Sequence, residues 1–203
     1  LMKLYYSPGA CSLSPHIVAR EAGLPITLVR VDTKGKKTVT GDDYLSINGK
    51  GYVPLLELED GERLSEGPAI VQYIADQVPL KNLAPANGTM ARYRLQEWLN
   101  FITSELHKQY SPLFDTAVPA EYRDAVRSRL AKRFDWLSTR LAQQDYLTGA
   151  QFSVADAYLF TVLSWNRWVG LDTARWPVLE AYVARVAARP KVQEALKAEG
   201  LAK

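Results

Sequence analysis

The chain has 203 residues, of which 47% are apolar and 23% are charged, and its formal net charge at pH 7 is +3. This length is enough for a substantial core in one domain or in two. Basic residues are mixed with acidic ones along most of the chain, so nucleic acid is not an expected partner. No apolar run approaches about 18 residues and no signal-peptide pattern begins the chain, so we expect neither a membrane span nor export by such a signal.

The chain contains a single cysteine, Cys11. An intramolecular disulfide is therefore excluded, and a reducing compartment suits the protein, which we expect to be cytoplasmic. The densest basic cluster is Lys34, Lys36 and Lys37, and a small anionic ligand is the better use for it.

The first predicted elements enclose the cysteine. Met2–Tyr6 has the pattern of a short strand and Ser12–Ala22 that of an amphipathic helix, so Cys11 falls where the helix begins. A thiol at a helix N-terminus lies near unpaired N–H groups and the positive end of the helix dipole, which lower its pKa from about 8.5. The alternative is a small buried apolar residue, and this stretch alone leaves both interpretations open.

Alternation and turn residues predict the other elements of the first 80 residues: a strand at Ile26–Val31, a loop over 32–52 with a short helix near Asp42–Ser46, a hairpin of Val53–Glu59 and Arg63–Leu64, and a helix at Glu66–Asp76. The turn Asp60-Gly61 is a strong hairpin signal. The order β-α-β-loop-β-β-α is that of a thioredoxin-like domain.

Beyond this point the pattern is helical. The predicted helices are Thr89–Ser111, Ala120–Gln144, Ser153–Val169, Trp176–Ala188 and Pro190–Ala198. Proline, asparagine and glycine before them indicate a linker. The sequence therefore predicts an α/β domain followed by an all-α one: a thioredoxin-like domain at 1–79, a linker at 80–88 and an all-helical domain at 89–203.

Two stretches of the first domain suit a peptide ligand. Pro54 begins a strand, and its bond to Val53 could be cis, which would leave the Val53 backbone free to pair with an extended peptide; sequence does not settle the isomer. At Ser65-Glu66-Gly67-Pro68, backbone N–H groups could bind a carboxylate while Glu66 receives an ammonium group. The commoner alternative is a simple helix start in which Glu66 complements the dipole.

The long helix after the linker carries a polar stripe. Asn100, Ser104, His107 and Ser111 are spaced i, i+4, i+7 and i+11, so they share one face that either lines an interdomain cleft or is solvated. The other histidine, His16, falls within the first helix, so His107 is the better candidate for a cleft.

Other signals are structural or missing. Ser153 and Asp156 have the spacing of a capping box at a helix start. No metal-ligand spacing, glycine-rich phosphate loop or nucleophile-elbow motif is present, so no metal is expected.

With these residues in view, the chain resembles the bacterial beta-class glutathione S-transferases over essentially its whole length. Six motifs carry the resemblance: Lys3–Tyr6 with Pro8–Leu13, Gly51–Pro54, Glu66–Ile70, Trp98–Ile102, Ser104–Lys108 and Phe152–Phe160.

The resemblance implies roles for individual residues. Cys11 would lie against the glutathione sulfur and could form a mixed disulfide with it, and His107 would hydrogen-bond near that sulfur. The implied glutathione-binding residues are Ala10, Cys11, Lys36, Val53, Pro54, Glu66, Gly67, Asn100, Ser104 and His107. Val53 would pair through its backbone ahead of a cis Pro54, Glu66 and Gly67 would hold the γ-glutamyl end, and Lys36 would meet the glycyl carboxylate. Family members are homodimers.

Two positions depart from the family pattern. Asn48-Gly49 stands where Asn-Pro is common, which lowers the rigidity of that loop. Gly67 stands where serine is frequent, and loss of its hydroxyl bond to the γ-glutamyl carboxylate could weaken binding by about 1.5–3 kcal/mol unless water substitutes.

Three functions compete at this point. The leading hypothesis is conjugation of the glutathione thiolate to small hydrophobic electrophiles, in detoxification or xenobiotic and aromatic degradation, with an apolar cleft beside Tyr110 and Trp165. The second is a glutathione-dependent thiol–disulfide oxidoreductase or peroxidase that uses Cys11. The third is a non-enzymatic ligand-binding protein on the same fold.

Overall fold

The computed structural model describes residues 1–202, which form two compact units. The first unit combines Leu1–Ala84 with the segment that starts at Ala188, and the second is Pro85–Ala187. Within residues 1–202, none of the helices has the length and apolar character needed to cross a membrane.

The first unit contains a five-stranded sheet. Its strands are β1 (Met2–Tyr6), β2 (Ile26–Asp32), β3 (Lys37–Thr38), β4 (Leu55–Glu57) and β5 (Arg63–Ser65). Their spatial order is β3-β2-β1-β4-β5, with β1 parallel to β2 and antiparallel to β4. The hairpin predicted around Asp60-Gly61 joins β4 to β5.

Nine α-helices are described in the chain. They are α1 (Leu13–Ala22), α2 (Tyr44–Ile47), α3 (Gly67–Asp76), α4 (Met90–Phe101), α5 (Lys108–Phe114), α6 (Ala120–Leu141), α7 (Val154–Leu163), α8 (Pro177–Ala187) and α9 (Pro190–Ala198). A π-helical turn, Ile102–His107, joins α4 to α5 without a break. Helix α1 is followed by Gly23, whose φ of 70° is a conformation that favours glycine.

A small apolar cluster holds the segment that precedes β4. Its buried members are Tyr5, Val31, Tyr44, Val53 and Leu55, with Ala10 packed against them. Strand β1, helix α2 and the turn that carries Cys11, called the cysteine turn below, therefore share one core. This core fixes the Val53 backbone relative to the cysteine turn.

The elements of the first unit follow the sequence prediction closely, and the thioredoxin-like and helical fold class is confirmed. Two details differ. The two-residue strand β3 was missed, because it is too short to show alternation. The strand predicted over Val53–Glu59 is paired only at Leu55–Glu57.

The second unit consists of helices and the loops between them, with no strand among its described residues apart from an isolated bridge between Tyr146 and Gly149. All ten residues of α7 are buried, so this helix forms the centre of the unit. The capping box predicted at its start is present: the Ser153 hydroxyl accepts from Ala155 N and Asp156 accepts from Ser153 N. The helix predicted over Thr89–Ser111 is observed as α4, the π-helical turn and α5.

Helix α9 belongs to the first unit by its contacts. It packs on α1, where Arg189 forms an ion pair of 2.7 Å with Glu21 and Val192 is fully buried. The helical unit therefore ends at Ala187, and no sequence pattern predicts that the last helix packs on the first unit. The domain limits 1–79, 80–88 and 89–203 stay a prediction.

Candidate functional site

The turn that carries Cys11 is held by hydrogen bonds on both sides of the cysteine. The buried Ser12 hydroxyl accepts from Ser7 N at 3.1 Å and donates to Ser7 O at 3.2 Å, and Ala10 N donates to the same oxygen at 3.1 Å. Cys11 itself is partly exposed and lies immediately before Ser12, the N-cap residue of α1. The side chain is therefore not the buried apolar residue of the alternative interpretation.

The Cys11 thiol contacts the backbone of Val53. Its Sγ donates to Val53 O across 3.2 Å, although the two residues are 42 positions apart. A carbonyl accepts a proton and repels a thiolate, so this contact belongs to the protonated thiol. The structure thus brings Cys11 and Val53 together, as a shared peptide-binding site requires.

The Val53–Pro54 bond is cis, which confirms the isomer that the resemblance implied. Just before it, Tyr52 O accepts from Tyr44 Oη at 2.7 Å and from Asn48 Nδ2 at 2.9 Å. These two donors hold the loop that precedes β4, so Asn48 has a structural role in this chain even though no proline follows it.

Glu66 lies directly before α3 in a backbone conformation that non-glycine residues rarely adopt, with φ of 72°. Such conformations concentrate at functional sites. Its carboxylate does not cap the helix; instead Lys50 Nζ lies 2.5 Å from Glu66 Oε1 and 2.9 Å from Ser65 Oγ. The sequence did not identify Lys50, because a partner 16 positions away leaves no periodic signal.

Gly67, the first residue of α3, lies beside Pro54. A Cβ added at Gly67 would meet only Pro54 Cγ within 4 Å, at an ordinary contact distance of 3.9 Å. Packing within the first unit therefore does not require glycine at this position.

Lys36 adopts a left-handed backbone conformation, with φ of 54°. Its Nζ donates to Gly51 O at 3.0 Å and lies 5.7 Å from the centre of the Tyr52 ring. Lys36 thus joins the loop before Val53, while its neighbours Lys34 and Lys37 line a cavity that does not include it.

The second unit contains the three remaining predicted site residues. Asn100 and Ser104 are exposed on α4 and the π-helical turn; Asn100 Nδ2 donates to Gln96 O, and Ser104 Oγ donates to Asn100 O. His107 is partly exposed at the end of that turn. Because a π-helical turn has more residues than an α-helical one, the predicted i, i+4, i+7 stripe does not continue unchanged through it.

A chain of donors orients His107. Thr103 Oγ1 donates to Leu99 O at 3.0 Å, which leaves its oxygen to accept from Tyr158 Oη at 3.1 Å. With its single proton used, Tyr158 accepts from His107 Nδ1 at 2.6 Å. This assignment places a proton on His107 Nδ1. Tyr158 lies within the motif Phe152–Phe160, but the sequence does not predict its contact with His107.

Tyr110 and Trp165, expected beside an apolar cleft, are both buried in the second unit. The Tyr110 hydroxyl donates to Asn166 Oδ1, and burial raises its pKa well above the usual range. The Trp165 ring packs against His107 at 5.1 Å and Phe114 at 6.2 Å. Phe114 is 52% exposed, so it presents the accessible aromatic surface of this group.

His16 and Glu199 are buried behind the cysteine turn. Glu199 Oε2 lies 2.6 Å from His16 Nδ1, and Glu199 Oε1 accepts from Gly9 N at 3.0 Å. The sequence places His16 within the first helix but does not predict its contact with Glu199, because the two residues are 183 positions apart.

Within residues 1–202, no group of three or more His, Cys, Asp or Glu side chains has the arrangement of a metal site.

Two protein-family models match the chain. The model for the glutathione S-transferase N-terminal domain matches residues 9–77, and the model for the C-terminal domain of the same family matches residues 96–190.

Solved structures agree with both matches. The chain is 59% identical to a bacterial glutathione S-transferase called BphK, solved as a ternary complex, with a TM-score of 0.96 over 98% of this chain and 100% of that one. It is 48% identical to a sphingomonad glutathione S-transferase complexed with glutathione, with a TM-score of 0.95 over 98% and 100%. It is also 48% identical to the beta-class enzyme of Sphingomonas chungbukensis, with a TM-score of 0.95 over 98% and 99%.

Proposed function

The chain belongs to the glutathione S-transferase family, and from that premise we propose that it joins the thiolate of glutathione to small hydrophobic electrophiles. The observation that carries the proposal is the pairing of a partly exposed Cys11 with Val53 O, 3.2 Å from its sulfur and directly before the cis Pro54. This pairing places the thiol beside a backbone segment whose N–H and C=O groups suit an extended tripeptide. Solved relatives are glutathione S-transferases, one of them with glutathione bound.

Both charged ends of glutathione have matching groups in the first unit. Glu66 would receive the ammonium of the γ-glutamyl residue, and the N–H groups at the start of α3, beginning at Gly67, would hold its carboxylate. Lys36, beside Gly51 and Tyr52, would meet the glycyl carboxylate. Ala10 and Val53 belong to one apolar cluster, which supports a common role for them along the peptide.

Lys50 extends this arrangement. Its Nζ already neutralises Glu66 at 2.5 Å, so an arriving ammonium group would compete with it. We expect Lys50 to move to the γ-glutamyl carboxylate when glutathione binds. Glu66 would then pair with the ammonium group of glutathione and Lys50 with its carboxylate.

The rate would come from two effects: a lowered pKa of the glutathione thiol and the proximity of its thiolate to the electrophile. The helix N-terminus after Cys11 stabilises negative charge at the sulfur. By the family resemblance, His107, which contacts Tyr158 through Nδ1, would hydrogen-bond near the glutathione sulfur and assist removal of the thiol proton. Asn100 and Ser104 are proposed as further glutathione contacts on the strength of the family resemblance alone.

The first experiment is the initial rate of conjugation between glutathione and chlorodinitrobenzene, measured against the uncatalysed reaction. We expect a saturable rate that partly survives in Cys11→Ala. A rate at background in the folded protein would contradict the proposal.

A second candidate function is glutathione-dependent thiol–disulfide exchange. The partly exposed Cys11 is the only cysteine, so glutathione would have to resolve any mixed disulfide. This activity should disappear in Cys11→Ala, whereas conjugation should not; loss of both in a folded variant would refute this division.

The proposal extends to the cellular setting. A single cysteine and a need for reduced glutathione suit the cytoplasm, and conjugation of hydrophobic electrophiles suits detoxification or the degradation of aromatic compounds. A homodimer is proposed from the family resemblance, and analytical ultracentrifugation would test it.

A further inference from the structure

A cavity of about 410 Å³ lies in the first unit, at the ends of β1 and β2 and beside the short strand β3. Its walls include Ser7, Arg30, Asp32, Lys34, Lys37 and Val39. Its volume lies within the range of small-molecule sites. Cys11, Val53, Glu66 and Gly67 are not among the residues that line it.

The walls carry an excess of positive charge. Arg30, Lys34 and Lys37 are exposed, and none of these side chains forms an ion pair with another part of residues 1–202. One carboxylate, that of Asp32, is also on the wall. Three cations against one anion leave two positive charges without a counter-charge.

Asp32 is committed to the turn that follows β2. Its Oδ1 accepts from Lys34 N at 3.0 Å and from Gly35 N at 3.1 Å, and these bonds hold the pKa of Asp32 below its usual value. A Cβ at Gly35 would lie 2.5 Å from Asp32 Oδ2, so the turn closes tightly over the carboxylate. The charge of Asp32 also acts on Lys34 and Lys36, whereas neither Arg30 nor Lys37 is paired with it.

The left-handed conformation at Lys36 divides the lysine cluster. Lys36 is bonded to Gly51 O, whereas Lys34 and Lys37 line the cavity. The basic cluster of the sequence therefore divides into two sites. The glycyl carboxylate proposed for Lys36 does not explain the second site, which is formed by Lys34 and Lys37.

We propose that this cavity binds a small phosphate monoester. A dianionic phosphate matches the two unbalanced positive charges, and Arg30 can bind two phosphate oxygens at once. Val31 and Val39 provide apolar wall, and Val39 is 71% exposed, so a small apolar body attached to the phosphate would cover it. The ligand would lie next to Ser7, where the cysteine turn begins.

The test is a titration of the full chain, labelled with ¹⁵N, with phenyl phosphate, inorganic phosphate and phenol at low ionic strength. We expect saturable shifts of the Ser7 and Lys34–Val39 amides with phenyl phosphate, weaker binding of inorganic phosphate, and no saturable shift with phenol. The shifts should persist in saturating S-methylglutathione, which distinguishes this cavity from the glutathione site.

Charge-removing variants test the assignment. Lys34→Gln with Lys37→Gln should weaken phenyl phosphate at least tenfold, whereas the matched control Lys132→Gln with Lys197→Gln, both exposed, should change it less than twofold. Lys34→Arg with Lys37→Arg keeps both charges and should keep binding.

Four results would overturn the proposal. The first is the absence of a saturable shift in the unmodified protein, and the second is equal binding of phenyl phosphate by Lys34→Gln with Lys37→Gln and by Lys132→Gln with Lys197→Gln. The third is loss of phenyl phosphate binding when the glutathione site is filled. The fourth is equal affinity for phenyl phosphate and inorganic phosphate. The last would reassign the cavity to free phosphate.

Discussion

The Glu199 carboxylate accepts a hydrogen bond of 3.0 Å from the amide of Gly9, although the two residues are 190 positions apart. Gly9 lies in the turn that carries Cys11, and its φ of 72° is left-handed. The residue after α9 therefore supports the loop that presents the thiol.

Arg20 and Glu199 together determine which ring nitrogen of His16 carries the proton. Arg20 Nε, which can only donate, lies 2.9 Å from His16 Nε2, so Nε2 must accept. The proton is therefore on Nδ1, which donates to Glu199 Oε2 at 2.6 Å. Arg20, His16, Glu199 and Gly9 form one chain of donors and acceptors, buried at every member except Arg20, that ends at the cysteine turn.

Glu199→Gln should lower both stability and turnover. A glutamine amide has only one oxygen, so either Gly9 N or His16 Nδ1 would face an NH₂ group and lose its acceptor. We expect the free energy of unfolding to fall by about 1.5–3 kcal/mol, as for a hydrogen bond to a charged group, measured by urea denaturation.

The matched control is Glu194→Gln. Glu194 is also in the last segment and pairs with Lys191 and Arg20, but it is exposed, so its replacement should lower the free energy of unfolding much less than Glu199→Gln does. Equal effects of the two variants would show that the buried chain has no special role.

Gly67→Ser should improve glutathione binding. The added Cβ meets only Pro54 at 3.9 Å, and the hydroxyl would restore a donor at the start of α3. We expect the KM for glutathione to fall by up to about tenfold, which corresponds to one hydrogen bond to a charged group. The free energy of unfolding should not change.

Gly67→Ala adds the same Cβ without the hydroxyl. It should leave the KM within about twofold of the original value. If alanine lowers it as much as serine, the gain comes from a stiffer backbone rather than from the hydroxyl.

Tyr158→Phe should lower kcat more than it changes the KM for glutathione. Phenylalanine leaves His107 Nδ1 and Thr103 Oγ1 without the shared hydroxyl, so the ring can take the other tautomer. A misdirected base should cost about tenfold in kcat and alter the pH dependence of kcat. Tyr93→Phe, at a side chain that is 57% exposed, should change neither; an unaltered pH profile in Tyr158→Phe would refute the positioning role.

The sequence predicted what local patterns can encode. Periodicity predicted α1, α3 and α9 to within a residue or so, and Asp60-Gly61 predicted the hairpin, because these signals depend on neighbours along the chain. The family resemblance correctly implied the cis bond before Pro54, which no local pattern could settle.

What the sequence missed depends on distant partners. Lys50 with Glu66, Tyr158 with His107 and Glu199 with Gly9 are separated by 16, 51 and 190 positions. The lysine cluster divides because of one left-handed residue, Lys36, and a lysine in that conformation gives no sign in the sequence.

Asp156 gives the fold a predictable response to pH. Burial raises the pKa of its carboxyl from 3.8 to about 6, although donors from Leu147, Ser153 and Tyr182 oppose the shift. Between these two pKa values the folded protein holds a proton that the unfolded chain has released. Stability from this group therefore falls as pH rises through this window, and above it the ionised buried carboxyl is a constant cost.

The difference in unfolding free energy between the original protein and Asp156→Asn isolates this effect, because other titrating groups cancel. Asparagine should destabilise the fold at pH 7, since its NH₂ group cannot accept from the surrounding donors. On acidification from pH 7 to pH 5 the original protein should gain roughly 1 kcal/mol relative to the variant, as folded Asp156 takes up its proton. Urea denaturation at both pH values measures the change, with exposed Asp145→Asn as the control that should show none. A difference that is constant or moves the other way would mean that the donors from Leu147, Ser153 and Tyr182 keep Asp156 ionised throughout this range.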